Sequence, residues 1–239
     1  MVDTVAAPER GIGGNTLKYI AAAAMLIDHV ALMFLSGIPA AYIPMRVVGR
    51  LTAPVMCCML AEGYRRTSSL KKYFTRLAVF AVISQIPYSL AIHGTVFEYA
   101  DYNMLVTLTL SLAALTVFDK VKNRVLKFIL PLPIIALTYF CDWGITAPLY
   151  VMAFYMAGND RYRRTAYSMG ISIVYIAVSV FTRSASAALI SLGLILAPIL
   201  LYFYSGARSA KAKSANKWVF YVFYPAHLMA LALINLYII

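Results

Sequence analysis

The sequence predicts an all-α fold: a polytopic integral membrane helix bundle of about nine transmembrane helices, with the N-terminus inside and the C-terminus outside. Three observations predict it. Of 239 residues, 62% are hydrophobic and 13% charged, too apolar for a soluble domain that must show water a polar surface. The apolar residues gather into runs of spanning length. The basic residues gather between alternate runs, as the positive-inside rule requires of a multi-pass chain.

The runs lie near 17–36, 45–64, 73–93, 102–118, 125–141, 144–158, 165–181, 186–205 and 217–239. The first follows a polar tail, residues 1–16, and lacks a small-residue cleavage pattern, so it is expected to stay attached as a span. The second enters from the other side through Arg46 and Arg50 and leaves through Glu62 into RRTSSLKKYFTR, which holds Arg65, Arg66, Lys71, Lys72 and Arg76. The third ends before Glu98 and Asp101; the fourth, beginning at Asn103, runs to Lys120, Lys122, Arg124 and Lys127. The fifth ends in the CDWG turn with Asp142, the short sixth at Arg161, Arg163 and Arg164, and the seventh at Arg183. The eighth leads to Arg208, Lys211, Lys213 and Lys217, and the ninth closes the chain. With Arg10 and Lys18, one face collects 18 of the 21 Lys and Arg residues, which makes that face cytoplasmic. The net charge of +12 is therefore a topology signal and implies no nucleic acid.

No internal repeat, low-complexity linker or soluble segment divides the chain, so residues 1–239 read as one transmembrane domain in a cell (inner, cytoplasmic) membrane. Cys57, Cys58 and Cys141 form no disulfide framework and read as small hydrophobes. No metal-ligand spacing is present, and no metal is expected.

Depth singles out the chemistry. Asp28 and His29 follow Leu17 by eleven and twelve residues, about 17 Å into a ~30 Å core at ~1.5 Å per residue. An ionisable pair at the midplane is costly, and such residues are functional candidates by default. On the antiparallel second span, Arg46 and Arg50 share a face, and Arg50 approaches Asp28 in depth. Lys18 falls level with Glu62, giving a second expected ion pair. His227 lies ten residues beyond Lys217, again near mid-depth, behind Pro225, which opens the helical ladder. Two histidines and an aspartate can thus meet. Asp28 would orient His29, and a neighbouring carboxylate favours proton transfer. The same residues would serve a proton-coupled transporter or channel, and the charges alone would suit a non-catalytic assembly protein pinned together by ion pairs.

Four blocks carry a resemblance: LKYIAAAAMLIDH, VVGRLTAPVMCCMLAEGYRRT, KKYFTRLAVFAVISQIPY and KWVFYVFYPAHL, with the Asn103-containing YNMLVTLTLSL. In this order they resemble the TraX family of membrane proteins, named for the pilin acetylase of conjugative plasmids, over nearly the whole chain. That family in turn resembles acyltransferase family 3, whose first span carries a basic residue, ten residues and a histidine, here Lys18 and His29. Arg76 with Pro87 is similar to that group's basic loop motif, and Tyr224-Pro225-Ala226-His227 to its late Tyr-x-x-His. Its second-span Ser-Gly-Phe is replaced by Glu62-Gly63-Tyr64, so the serine's role does not transfer.

The resemblance implies an acyltransferase, in particular an acetyltransferase, that takes an acyl group from cytoplasmic acetyl-CoA or another acyl-CoA. The acceptor would be an amine or hydroxyl at or across the lipid bilayer: a pilin N-terminus, a glycan or a small molecule. Lys18, Arg65, Arg66 and Arg76 would hold the donor's phosphates. His29 would be the base, with Asp28 and His227 as partners and Arg50 or His227 steadying the oxyanion. Arg46, Glu62, Asn103, Tyr224 and Asp142 are expected at the substrate site or as structural charges.

Overall fold

The computed structural model describes residues 11–96, 101–206 and 215–238. Arg10, Glu98, Arg208, Lys211 and Lys213, assigned to sides of the membrane above, lie outside the described residues. Among the described residues twelve α-helices follow one another: α1 (Gly14–Phe34), α2 (Pro39–Gly49), α3 (Thr52–Arg66), α4 (Leu70–His93), α5 (Met104–Lys120), α6 (Leu126–Ile129), α7 (Leu132–Leu137), α8 (Thr146–Ala157), α9 (Arg161–Thr182), α10 (Ala185–Ser191), α11 (Leu196–Tyr202) and α12 (Ala215–Ile238). Two short 3₁₀ turns, Thr138–Phe140 and Leu192–Ile195, extend α7 and join α10 to α11. Among the described residues there is no strand, only two isolated bridges, Ile12 with Tyr204 and Tyr102 with Cys141.

The helix ends follow local chemistry. Ser69, Asn103, Asp160 and Ser184 each accept from backbone N–H groups of the first turn of α4, α5, α9 and α10, satisfying donors that a helix start leaves open. Gly94 ends α4 at φ 70°, the left-handed conformation glycine adopts without a Cβ penalty.

Six stretches are long and apolar enough to cross a membrane: Gly14–Phe34, Pro39–Arg66, Leu70–His93, Arg161–Thr182, Ala185–Tyr202 and Trp218–Tyr237. Their outer faces carry large apolar side chains without protein cover, Val82 at 75% exposed and Phe181 at 87%, which only a hydrocarbon solvent makes favourable. The chain is a membrane protein. The three remaining expected spans are shorter. Helix α5 has 17 residues, and α8 has 12, about 18 Å at ~1.5 Å per residue. The expected 125–141 span is broken into α6, α7 and a 3₁₀ turn. Pro131 and Pro133 lack the backbone N–H that a continuous ladder needs.

Helices α1, α3, α4 and α12 frame the interior that matters below. The buried Ala21 and Ala24 let α1 pack closely against α3, and the Thr52 hydroxyl donates to the Ala21 carbonyl at 3.4 Å. Helix α12 packs along α4 and against α1, while α8 fills the space between α3, α5 and α9.

Candidate functional site

Two cavities lie along the same helices. The histidine-side one, of about 180 Å³, is lined on α1 by Asp28 and His29, on α2 and its end by Arg46 and Arg50, and on α4 and α12 by Tyr88 and Tyr224; Asp142 and Trp143 close it. The basic one, of about 410 Å³, takes Lys18 from α1, Glu62 and Arg66 from α3, Arg76 from α4 and Tyr221 from α12. Lys18 and His29 are separated by eleven residues of α1, about 17 Å of rise.

His29 and His227 meet. His29 Nδ1 lies 2.9 Å from His227 Nε2, and both rings are buried. His227 Nδ1 lies 2.8 Å from the Phe223 carbonyl, which can only accept, so that nitrogen carries the proton. His227 Nε2 is then an acceptor, and His29 Nδ1–H donates to it. The Phe223 carbonyl, through the His227 ring, thus favours the His29 tautomer whose lone pair lies on Nε2, the one a base requires.

Asp28 pairs with Arg50 as expected but does not orient His29. Its carboxylate is held by Arg46 at 2.5 Å and Arg50 at 3.3 Å, and none of its hydrogen bonds reaches His29. The aspartate pairs with two part-buried guanidinium groups; the hydrogen-bond partner of the His29 ring is His227. This cluster exists because residue 49 is glycine. A Cβ there would stand 2.0 Å from Asp28 Oδ1.

Sequence reasoning missed Trp143 and Tyr88. The Arg50 guanidinium stacks 5.0 Å from the Trp143 ring centre, and Trp143 sits at φ 66°, a conformation that costs a non-glycine residue about 1–3 kcal/mol. The Trp-Gly pair after Asp142 was the available signal. Asp142 belongs to the same turn, and burial pushes its carboxyl up to about 6, against the pull of Arg50. Tyr88 donates to Asp101, which also binds His93 Nε2 at 2.8 Å.

The remaining expected residues separate. Tyr224 lines the histidine-side cavity, and its hydroxyl accepts from Met104 N–H at 3.3 Å. Asn103 caps α5 and ties it to α4 by donating to the Ala81 carbonyl and Gln85, both at 2.8 Å; it lines neither cavity. Glu62 pairs with Arg66 at 2.6 Å and accepts from the Tyr204 hydroxyl at 2.5 Å, while Lys18 lines the same cavity. Arg76 also lines it, and its buried Nε has no hydrogen-bond partner among the described residues. Arg65 does not: its guanidinium donates to the Phe154 and Tyr155 carbonyls on the far side of α3. Cys57 and Cys58 are buried in the hydrophobic core with free thiols. Among the described residues no cluster of three or more His, Cys, Asp or Glu could hold a metal ion.

Comparison with known proteins follows the same residues. The family described as TraX protein matches residues 13–235. A probable fimbrial assembly protein FimC, serogroup H1, from Dichelobacter nodosus is 34% identical over 228 residues, which cover 90% of this chain and 92% of that protein. No solved structure matches. With nearly the whole length matched by the family and by a full-length relative, this chain belongs to the TraX family.

Proposed function

We propose that this protein is a membrane-embedded acyltransferase that moves an acyl group, acetyl in particular, from cytoplasmic acyl-CoA to an amine or hydroxyl at or across the inner membrane. In this reading it has nine membrane segments, three of them short, with the N-terminus inside. The observation that carries it is the hydrogen-bonded His29–His227 pair beside a polar cavity, on the same four helices as a basic cavity. The resemblance to acyltransferase family 3, through Lys18, His29 and Tyr224-x-x-His227, supports the same reading.

The donor's phosphates would lie against Lys18, Arg66 and Arg76; the unpartnered Arg76 Nε is the kind of buried donor a phosphate satisfies. The acyl thioester would extend along α1 toward His29. His29 Nε2 takes the proton of the acceptor's hydroxyl or amine as its lone pair attacks the thioester carbonyl. The tetrahedral oxyanion collapses, the C–S bond breaks, and the His29 imidazolium returns the proton to the leaving thiolate. His227 stays neutral throughout and accepts from His29 Nδ1–H, which holds the His29 ring in place. The guanidinium groups of Arg46 and Arg50 stand in the same cavity wall as sources of positive potential for the oxyanion.

The test is turnover. Purified protein in lipid nanodiscs with acetyl-CoA should release free CoA thiol and acylate an added amine or hydroxyl acceptor. Protein that binds acetyl-CoA without releasing CoA under any acceptor would defeat the reading. A second reading, a non-catalytic assembly protein, is favoured by the Asp28–Arg46–Arg50 cluster and by the assembly role in the relative's name; it predicts no turnover and unchanged function in His29 variants.

A further inference from the structure

The groove that received Arg65 has a chemistry of its own. At the basic ends of α3 and α5 and the apolar end of α8 a cavity of about 580 Å³ opens beneath the 121–130 segment, lined by Arg65, Arg124, Lys127, Phe118, Phe128, Tyr155 and Met156. It carries three cations and no carboxylate. The neighbouring acid, Asp119, is engaged by two phenols, accepting from Tyr64 at 2.8 Å and from Tyr155. Two of the cations are held in place. Arg65 donates to the Phe154 carbonyl at 2.9 Å, and the Lys127 ammonium sits 4.3 Å from the Phe118 ring centre. The cavity wall continues into apolar side chains with no protein cover: Val125, Leu126, Phe128, Ile129 and Leu130 are each 44–65% exposed. Positive charge thus stands at one end of a hydrocarbon-facing strip, on the edge of the membrane.

We propose that this groove binds the phosphodiester headgroup of an anionic glycerophospholipid, with Arg65, Arg124 and Lys127 on the phosphate and the acyl chains along residues 125–130. Basic pockets between helices at the membrane surface recognise such headgroups by this combination of phosphate-pairing cations and adjoining apolar surface. The inference rests on the membrane-spanning reading and not on acyl transfer: Lys18, Arg66 and Arg76 of the donor cavity lie elsewhere. The lipid would pin the segment between α5 and α7, which is broken where a continuous span was expected.

The experiment uses the full chain, wild type and the double variant Arg124→Gln/Lys127→Gln, in detergent with added phosphatidylglycerol or phosphatidylcholine. Bound lipid is counted by native mass spectrometry. The wild type should retain phosphatidylglycerol over phosphatidylcholine, and the double variant should lose at least tenfold of that occupancy while binding acetyl-CoA as the wild type does. Millimolar inorganic phosphate should not displace the lipid, since it lacks the chains. Equal phosphatidylglycerol retention in the variant, or equal retention of both lipids by the wild type, overturns the proposal. Displacement by phosphate would show a general anion site and overturn the lipid assignment. Loss of acetyl-CoA binding in the variant would make the groove a donor site and overturn it too. Because lipid occupancy is read without turnover, an inactive enzyme that shows the expected retention leaves this inference standing.

Discussion

Replacing Gly49 by alanine adds one methyl group where the structure has no room for it. The new Cβ would lie 2.0 Å from Asp28 Oδ1 and 2.4 Å from Asp28 Cβ and Cγ, so α1 or α2 must retreat by about 1 Å to reach even a 3.0 Å separation. The carboxylate that moves is the one neutralising Arg46 and Arg50, whose side chains are only 14% and 16% exposed. Breaking a buried charge pair costs about 3–5 kcal/mol because the remaining charges lose their compensation. That is a fall of two to more than three powers of ten in the folded-to-unfolded ratio, at about 1.4 kcal/mol per decade. The assay is reversible unfolding in mixed micelles, with Gly170→Ala as control: no atom lies within 4 Å of a Cβ there, so it should be neutral or stabilise α9 by about 0.5–1 kcal/mol. In an Asp28→Gly background the Gly49 change should cost less than in the wild type, because all three clashing atoms, Asp28 Cβ, Cγ and Oδ1, are gone. A Gly49→Ala protein as stable as the wild type would refute the idea that this close approach holds the cluster.

Other substitutions separate the roles further. Arg76→Ala should raise the acetyl-CoA dissociation constant about tenfold, whereas Arg65→Gln should leave it unchanged; equal effects in binding measurements would undo the division between the two basic sites. Asp142 makes stability depend on pH with a definite sign. Its folded carboxyl titrates near 6 and the unfolded one near 3.8, so between these values only the folded state holds the proton. Stability should therefore rise as pH falls from about 7 to 4, relative to Asp142→Asn, and matching melting curves for the two proteins across that range would count against the assignment. Tyr204→Phe removes the hydroxyl that donates to Glu62 and should cost about 1–3 kcal/mol in the same unfolding assay, as loss of a charge-assisted bond does.

Much of this was legible from one dimension. Depth along α1 and α12 brought His29 and His227 to the same level, and the structure closes the gap to one hydrogen bond. Charge spacing put Arg50 near Asp28. What failed was azimuth, which counting residues along a span does not give. Adjacent helical positions point about 100° apart, so Asp28 faces α2 while His29 faces α12, and sequence neighbours became members of different networks. Arg65 and Arg66 parted for the same reason, one toward α8 and the other toward the basic cavity. Hydropathy also treated 125–141 as one span, because an average over a window does not register the two missing N–H donors of Pro131 and Pro133.

The most direct test of the central claim is single-turnover CoA release by His29→Ala. The variant should bind acetyl-CoA with wild-type affinity, since Lys18 of the basic cavity proposed to take the donor lies about 17 Å away along α1, and should lose transfer by about 10²–10⁴-fold, as removal of a general base does. Near-normal CoA release from a folded His29→Ala protein would contradict the account, making His29 a buried structural partner of His227 and placing the base elsewhere.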